Sequence, residues 1–224
     1  MERVWDLLDL GLSGFKYNLQ VFPDTITAAA LLFTLMFQSP AFGAFFASTL
    51  LLNVLHPVLG GFLSQVFSGT IGAGDTERCT GRFPGASYER LIGAVSGSSF
   101  GKLEDTHWPS YYSTYLGFIL GYMGLLPIVY HSEIEASPRH KAGAIGGFVA
   151  LTILILLCIA YRFLSSCDNL GGIFVGIVTG AFIGVGCLAF LAYISDRRIT
   201  NILNLPLLRS RMKDGKPIYV CDRG

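Results

Sequence analysis

The feature that most constrains this chain is a set of apolar stretches too long and too free of charge for a soluble core. Leu170 to Ile194 holds no Asp, Glu, Lys or Arg at all, and a run of about 20 apolar residues is what an α-helix needs to cross bilayer hydrocarbon. Further runs of this kind cover about 22–37, 41–67, 110–130 and 142–163. Because every backbone N–H and C=O must be satisfied internally in lipid, such runs fold as helices. The expected fold class is therefore all-α, a polytopic transmembrane bundle of about five spans with one long extramembrane loop.

Composition agrees. Hydrophobic residues make up 52% and charged residues 14% of the 224, with a mean hydropathy of +0.55, whereas roughly a quarter of an ordinary soluble domain is charged. The net charge of +1 provides no basic field for nucleic acid, so no nucleic-acid partner is expected. The five cysteines, Cys79, Cys158, Cys167, Cys187 and Cys221, show no C-x-x-C spacing, so neither a zinc site nor a disulfide framework is indicated. No metal and no cofactor is expected.

Residues 1–20 are expected to form an amphipathic helix. Val4, Trp5, Leu7, Leu8, Leu10 and Leu12 alternate with Asp6 and Asp9 at helical period, which suits a helix lying in the interface or packed on the protein's own spans. Glu2, Asp6 and Asp9 make this segment too acidic for a basic leader. Pro23 and Asp24 open the first span and Gln38-Ser39-Pro40 closes it. The second span carries Asn53, His56 and Pro57 near its middle. Ionisable groups at that depth face an interior; His56 is read first as structural and second as functional.

Residues 68–109 collect Asp75, Glu77, Arg78, Arg82, Glu89, Arg90, Lys102, Glu104 and Asp105 among many glycines, a composition that hydrocarbon rejects. Neither Gly72-Ala73-Gly74-Asp75 nor Gly93-Ala94-Val95-Ser96-Gly97 lies between a strand and a helix, as a phosphate-binding loop requires. The third span opens with Tyr111, Tyr112 and Tyr115, residues that favour the interface. His131 to Lys141 is a polar turn, and its His131, Glu133, Glu135 and His140 are read as solvated, as is His107 beside Glu104 and Asp105. Ser165 to Asn169 is a second, tight turn.

In the last span Gly172, Gly176, Gly180 and Gly184 recur every four residues, placing one smooth stripe along the helix for close approach of another. The mate is either internal, with Gly117 and Gly121 as candidates, or another subunit. The tail, residues 195–224, carries Arg197, Arg198, Arg209, Arg211, Lys213, Lys216 and Arg223, which assigns it to the cytoplasmic-like face. Such a tail, free in solution, is expected to be disordered. With five spans the long loop and the Ser165 to Asn169 turn then share the opposite face, which Cys79 and Cys167 would also share. Two free thiols are expected there, with a single disulfide as the alternative.

Three polar stations converge on that face: Arg78 and Arg82 in the loop, Pro109 and Ser110 opening the third span, and Arg162 with Asp168 between the fourth and fifth. Their order resembles the type 2 phosphatidic acid phosphatase family, over roughly Asp75 to Ile194. That family carries K-x6-R-P, P-S-G-H and S-R-x5-H-x3-D before a glycine-rich span. The resemblance implies that Arg82 stands for the family's first arginine, with the proline displaced to Pro84 and Asp75 at the lysine position. Pro109 and Ser110 match P-S, but Tyr111 and Tyr112 follow, so the general-acid histidine is missing. Asp168, followed by Asn169-Leu170-Gly171-Gly172, resembles the final aspartate, and counting back four puts Leu164 where the nucleophilic histidine belongs.

Phosphate-ester cleavage by that route needs an imidazole nucleophile and a second imidazole to protonate the leaving oxygen; leucine and tyrosine supply neither. The resemblance thus implies a catalytically inactive member whose Arg78, Arg82, Pro109, Ser110, Arg162 and Asp168 line a vestigial, lipid-facing pocket. The plainer alternative is that these are ordinary interfacial charges. The function expected is a non-catalytic membrane subunit of a larger assembly, in a virion or organellar membrane, with lipids and other subunits as partners. A lipid-phosphate phosphatase with rearranged groups, recruiting His107, is the second reading, and a transporter or channel using Asn53, His56 and Pro57 the third.

Overall fold

The computed structural model describes residues 13–66, 79, 109–195, 197–203, 205, 212, 213, 216 and 217. In chain order they form α1 (Ser13–Gln20), α2 (Phe22–Phe37), α3 (Pro40–Val66), α4 (Tyr111–Val129), α5 (His131–Glu135), α6 (Pro138–Leu164) and α7 (Leu170–Ile194). A 3-10 turn, Arg197–Thr200, follows, and then a pair of two-residue antiparallel strands, Met212–Lys213 and Lys216–Pro217. The architecture is all-α. Residues 1–12, and with them the apolar face around Trp5, lie outside the described residues, as do Arg78, Arg82, Pro84 and His107.

Four helices, α3, α4, α6 and α7, are long and apolar enough to cross a membrane, and α1 with α2 makes a fifth if that pair, bent by 74°, counts as one span. Their outward faces carry Leu35, Met36, Val58, Phe62, Leu156, Phe174, Phe182 and Phe190, all exposed. A soluble monomer does not present so large a continuous apolar surface, and lipid is the solvent that suits it.

The chain runs back and forth between two faces. At one, the loop face, lie the start of α2, the end of α3, the start of α4 and the α6–α7 turn: the Tyr112 hydroxyl donates to the Leu19 carbonyl, and His56 Nε2 lies 3.0 Å from the Pro109 carbonyl. At the other, the tail face, the α2–α3 link turns on Gln38 in the left-handed conformation (φ 49°), with Pro40 then opening α3 as a first-turn proline can. The Tyr130 hydroxyl there pairs with Thr200 Oγ1 at 2.6 Å. Thr200 and Leu205 are buried, so the beginning of the tail packs onto the bundle, in contrast to the disorder expected of a free tail.

Helix α4 is the axis of the bundle. Tyr112, Ser113, Thr114, Tyr115, Leu116, Phe118, Ile119 and Tyr122 are all buried, and a helix buried around its circumference shows no polar face. This corrects the expectation that Tyr112 and Tyr115 are interfacial anchors. Both turn inward because each phenol finds a protein partner: Tyr112 the Leu19 carbonyl, and Tyr115 the Thr27 hydroxyl at 2.9 Å.

The α4–α7 seam explains the glycines. A Cβ on Gly176 would stand 2.8 Å from Ser113 Cβ, one on Gly180 2.7 Å from the Phe118 nitrogen, and one on Gly184 2.8 Å from the Tyr122 nitrogen. From the other side, a Cβ on Gly117 would stand 2.6 Å from Ile177 Cα and one on Gly121 2.8 Å from Ala181 Cα. The two backbones therefore touch directly, and the mate of the stripe is internal. Gly172, nearest the loop face, is buried, and its amide donates to the Asn169 side chain at 2.6 Å, closing the N-cap of α7.

Candidate functional site

The polar cluster at the loop face is assembled by the turn between α6 and α7. Helix α6 ends at Leu164, Ser166 takes the left-handed conformation (φ 55°), and the Ser166 and Cys167 amides donate back to the Phe163 and Arg162 carbonyls, each at 3.0 Å. That reversal is a helix C-cap of the kind usually given to glycine, and it swings Asp168 back over Arg162. Arg162 Nε donates to Asp168 Oδ2 at 2.9 Å, and both residues are buried, 4% and 6% exposed.

The pair is held from several sides. Asp168 Oδ2 also accepts from Ser110 Oγ and from Ser113 Oγ, each at 2.9 Å. Arg162 Nη1 donates to the Cys79 carbonyl at 2.6 Å, and the guanidinium carbon lies 4.7 Å from the centroid of the Tyr112 ring, close enough for a cation–π contact. The local fields agree as well. Arg162 sits in the last turn of α6, where the helix dipole favours a cation, and Asp168 stands just before α7 and against the capped start of α4, where it favours an anion. An ion pair removed from water needs further hydrogen bonds to persist, and here Ser110, Ser113 and the Cys79 carbonyl supply them at Asp168 Oδ2 and Arg162 Nη1.

Cys79 and Cys167 are bridged, with Cα atoms 5.3 Å apart. This corrects the expectation of two free thiols. Sequence spacing of 88 residues carries no information about proximity, and the approach depends on α3, α4 and the α6–α7 turn ending together at one face. Cys158 and Cys187 are free.

Of the residues expected to line a phosphate pocket, the structure brings Ser110, Arg162 and Asp168 into one cluster. Pro109 adjoins it through its carbonyl, which accepts from His56 Nε2; since a carbonyl cannot donate, the imidazole proton is on that nitrogen. Leu164, at the nucleophile position of the resemblance, is 80% exposed. Tyr112, at the general-acid position, is tied to Leu19. Sequence reasoning missed Ser113, although its spacing of three from Ser110 puts both hydroxyls on one helix face. It also missed that Glu133 is buried, 1% exposed, with the Ser132 hydroxyl donating to its carboxylate at 2.7 Å, while His131 and Glu135 are exposed as expected. Among the described residues no group of three or more His, Cys, Asp or Glu could hold a metal ion.

Fold and site together define an integral, multi-pass helical membrane protein with a closed polar latch at one face. Comparison with family models, with curated proteins and with solved structures finds no match to this chain.

Proposed function

We propose that the chain is a non-catalytic subunit of a larger membrane assembly, in an organellar or virion membrane. The observation that carries this reading is the buried Arg162–Asp168 latch. Arg162 is neutralised by Asp168 and roofed by Tyr112 and the Cys79 carbonyl, so its charge is spent on joining α4, α6, α7 and the loop, not held in reserve for a substrate phosphate. Descent from a type 2 phosphatidic acid phosphatase scaffold is part of this proposal. In it, Ser110, Arg162 and Asp168, with Arg78 and Arg82 from the loop, are remnants of a pocket turned to structural use, and any lipid bound there is a ligand and not a substrate.

Two further features support an assembly role. The outer face of α6 is almost wholly exposed, with only Ile155, Cys158 and Arg162 buried, leaving a long wall for neighbouring chains. The disulfide supports a loop face in an oxidising compartment, which agrees with the basic residues that follow Ser195 on the cytoplasmic-like side. Cross-linking in native membranes followed by gentle solubilisation and native mass spectrometry tests the proposal: a defined complex is expected, and a monomer without partners refutes it. Purified protein is expected to leave phosphatidic acid intact. Turnover abolished by His107→Ala would establish the phosphatase reading instead.

A further inference from the structure

We propose that Asn53 is an internal hydration site, where water is bound as a ligand inside the bundle within the α3 span. Asn53 lies in the segment Pro40–Gly60, apolar enough to cross the membrane, and is 8% exposed. Its carboxamide has no hydrogen-bond partner at either Nδ2 or Oδ1 among the described residues. The neighbouring hydroxyls on α3 do not share this condition. Ser48 Oγ donates to the Ala44 carbonyl at 2.8 Å and Thr49 Oγ1 to the Phe46 carbonyl at 2.7 Å, so both hydroxyls are satisfied by their own helix. His56, one turn nearer the loop face, is engaged by Pro109 and lies edge-on to the Tyr111 ring.

A second, independent feature falls on the same residue. Pro57 lies inside α3, and a proline has no N–H to give to the carbonyl four residues earlier. That carbonyl belongs to Asn53. One residue therefore presents a backbone acceptor, a side-chain acceptor and a side-chain NH2 donor within a single turn. This is the combination a water molecule, which gives two hydrogen bonds and accepts two, can bridge, and polar sites of this kind hold water where apolar cavities stay dry. In membrane helices, carbonyls freed by proline are re-satisfied by neighbouring polar groups or ordered water. The consequence is a helix whose mid-span hydrogen bonds run to exchangeable solvent, which lets α3 pivot at Pro57 without breaking a protein–protein bond.

The test is water-edited solid-state NMR on the full-length protein in lipid bilayers, with 15N-labelled asparagine and leucine. Magnetisation starting on water is expected to reach the Asn53 carboxamide at short mixing times, at a rate comparable with the exposed Asn169, while the backbone amide of the fully buried Leu52 stays dark. The Asn53 signal is assigned by its loss in Asn53→Leu, or in Asn53→Thr should the first variant not fold. A wild-type Asn53 carboxamide as dark as the Leu52 amide overturns the proposal.

Discussion

Replacing Gly180 by leucine separates seam packing from intrinsic helix preference. A Cβ at this position would lie 2.7 Å from the Phe118 nitrogen and 2.8 Å from the Thr114 carbonyl carbon, and closer still to the Thr114 oxygen, where ordinary contact begins at 3.4 Å. All three atoms belong to the backbone of α4, so no side chain can rotate out of the way and the helices must part. A gap of about 0.5–1 Å forfeits a quarter to a half of each interatomic attraction of roughly 0.1–0.2 kcal/mol. Summed over some tens of atom pairs along the seam, and with the rest of the leucine to place, the loss is about 2–4 kcal/mol, in the upper range of core overpacking. The better helix propensity of leucine returns only about 0.5–1 kcal/mol, so the clash wins.

Gly146→Leu is the matched control. Gly146 lies in α6, and nothing lies within 4 Å of a Cβ placed there, so the same change is expected to be neutral or to stabilise by up to about 1 kcal/mol. Thermal unfolding in lipid nanodiscs, followed by circular dichroism, reads the difference. The expected drop for Gly180→Leu is roughly 5–15 °C at about 2–4 °C per kcal/mol for a chain of this size. If the two variants melt together, direct backbone contact is not what holds α4 to α7.

Other outcomes follow from the loop face and the tail. Asp168→Ala leaves Arg162 buried without its counter-ion and is expected to cost about 3–5 kcal/mol; Arg162→Met in the same chain recovers part of this, and a double-mutant cycle without coupling refutes the latch. Cys79→Ser with Cys167→Ser opens a loop closed over 88 residues, a loss of up to about 4–5 kcal/mol by chain entropy, and smaller in a bilayer that already confines the unfolded chain. In the native protein, a thiol reagent applied to the loop face is expected to modify Cys79 only after reduction. Tyr130→Phe removes one partner of buried Thr200, costing about 1 kcal/mol, and is expected to hasten proteolysis near Arg197 and Arg198.

The spans were legible because lack of charge is a property of composition and needs no tertiary knowledge. The glycine stripe was legible as a close-packing surface and Gly117 and Gly121 as its candidate mate, but the choice between an internal partner and another subunit was not, since it depends on α4 lying beside α7. Ser110, Arg162 and Asp168 could be named from residue type and position near helix ends. Their purpose could not, because a buried ion pair and an open anion site use the same residues and differ only in whether Ser113, Tyr112 and the Cys79 carbonyl close around them. The inward tyrosines were misread for a related reason: a phenol faces the interface or the core according to the partner available, and Leu19 and Thr27 come from α1 and α2, far off in sequence. The Glu133 carboxylate, in a short turn of charged residues, gave no periodic signal of burial.

The uneven anchoring of α6 has a mechanical consequence. Its buried residues, Ile155, Cys158 and Arg162, all lie in its second half, and no residue from Pro138 to Leu154 is buried. The helix is thus a cantilever, riveted at the end where Asp168 and Cys167 hold it and braced over the rest of its length only by partly buried residues such as Ala144, Leu151 and Leu154. A beam supported this way takes its slope from its surroundings, so the thickness of the local lipid, or the contour of an adjoining chain, sets the tilt of α6 while the α4–α7 seam stays fixed.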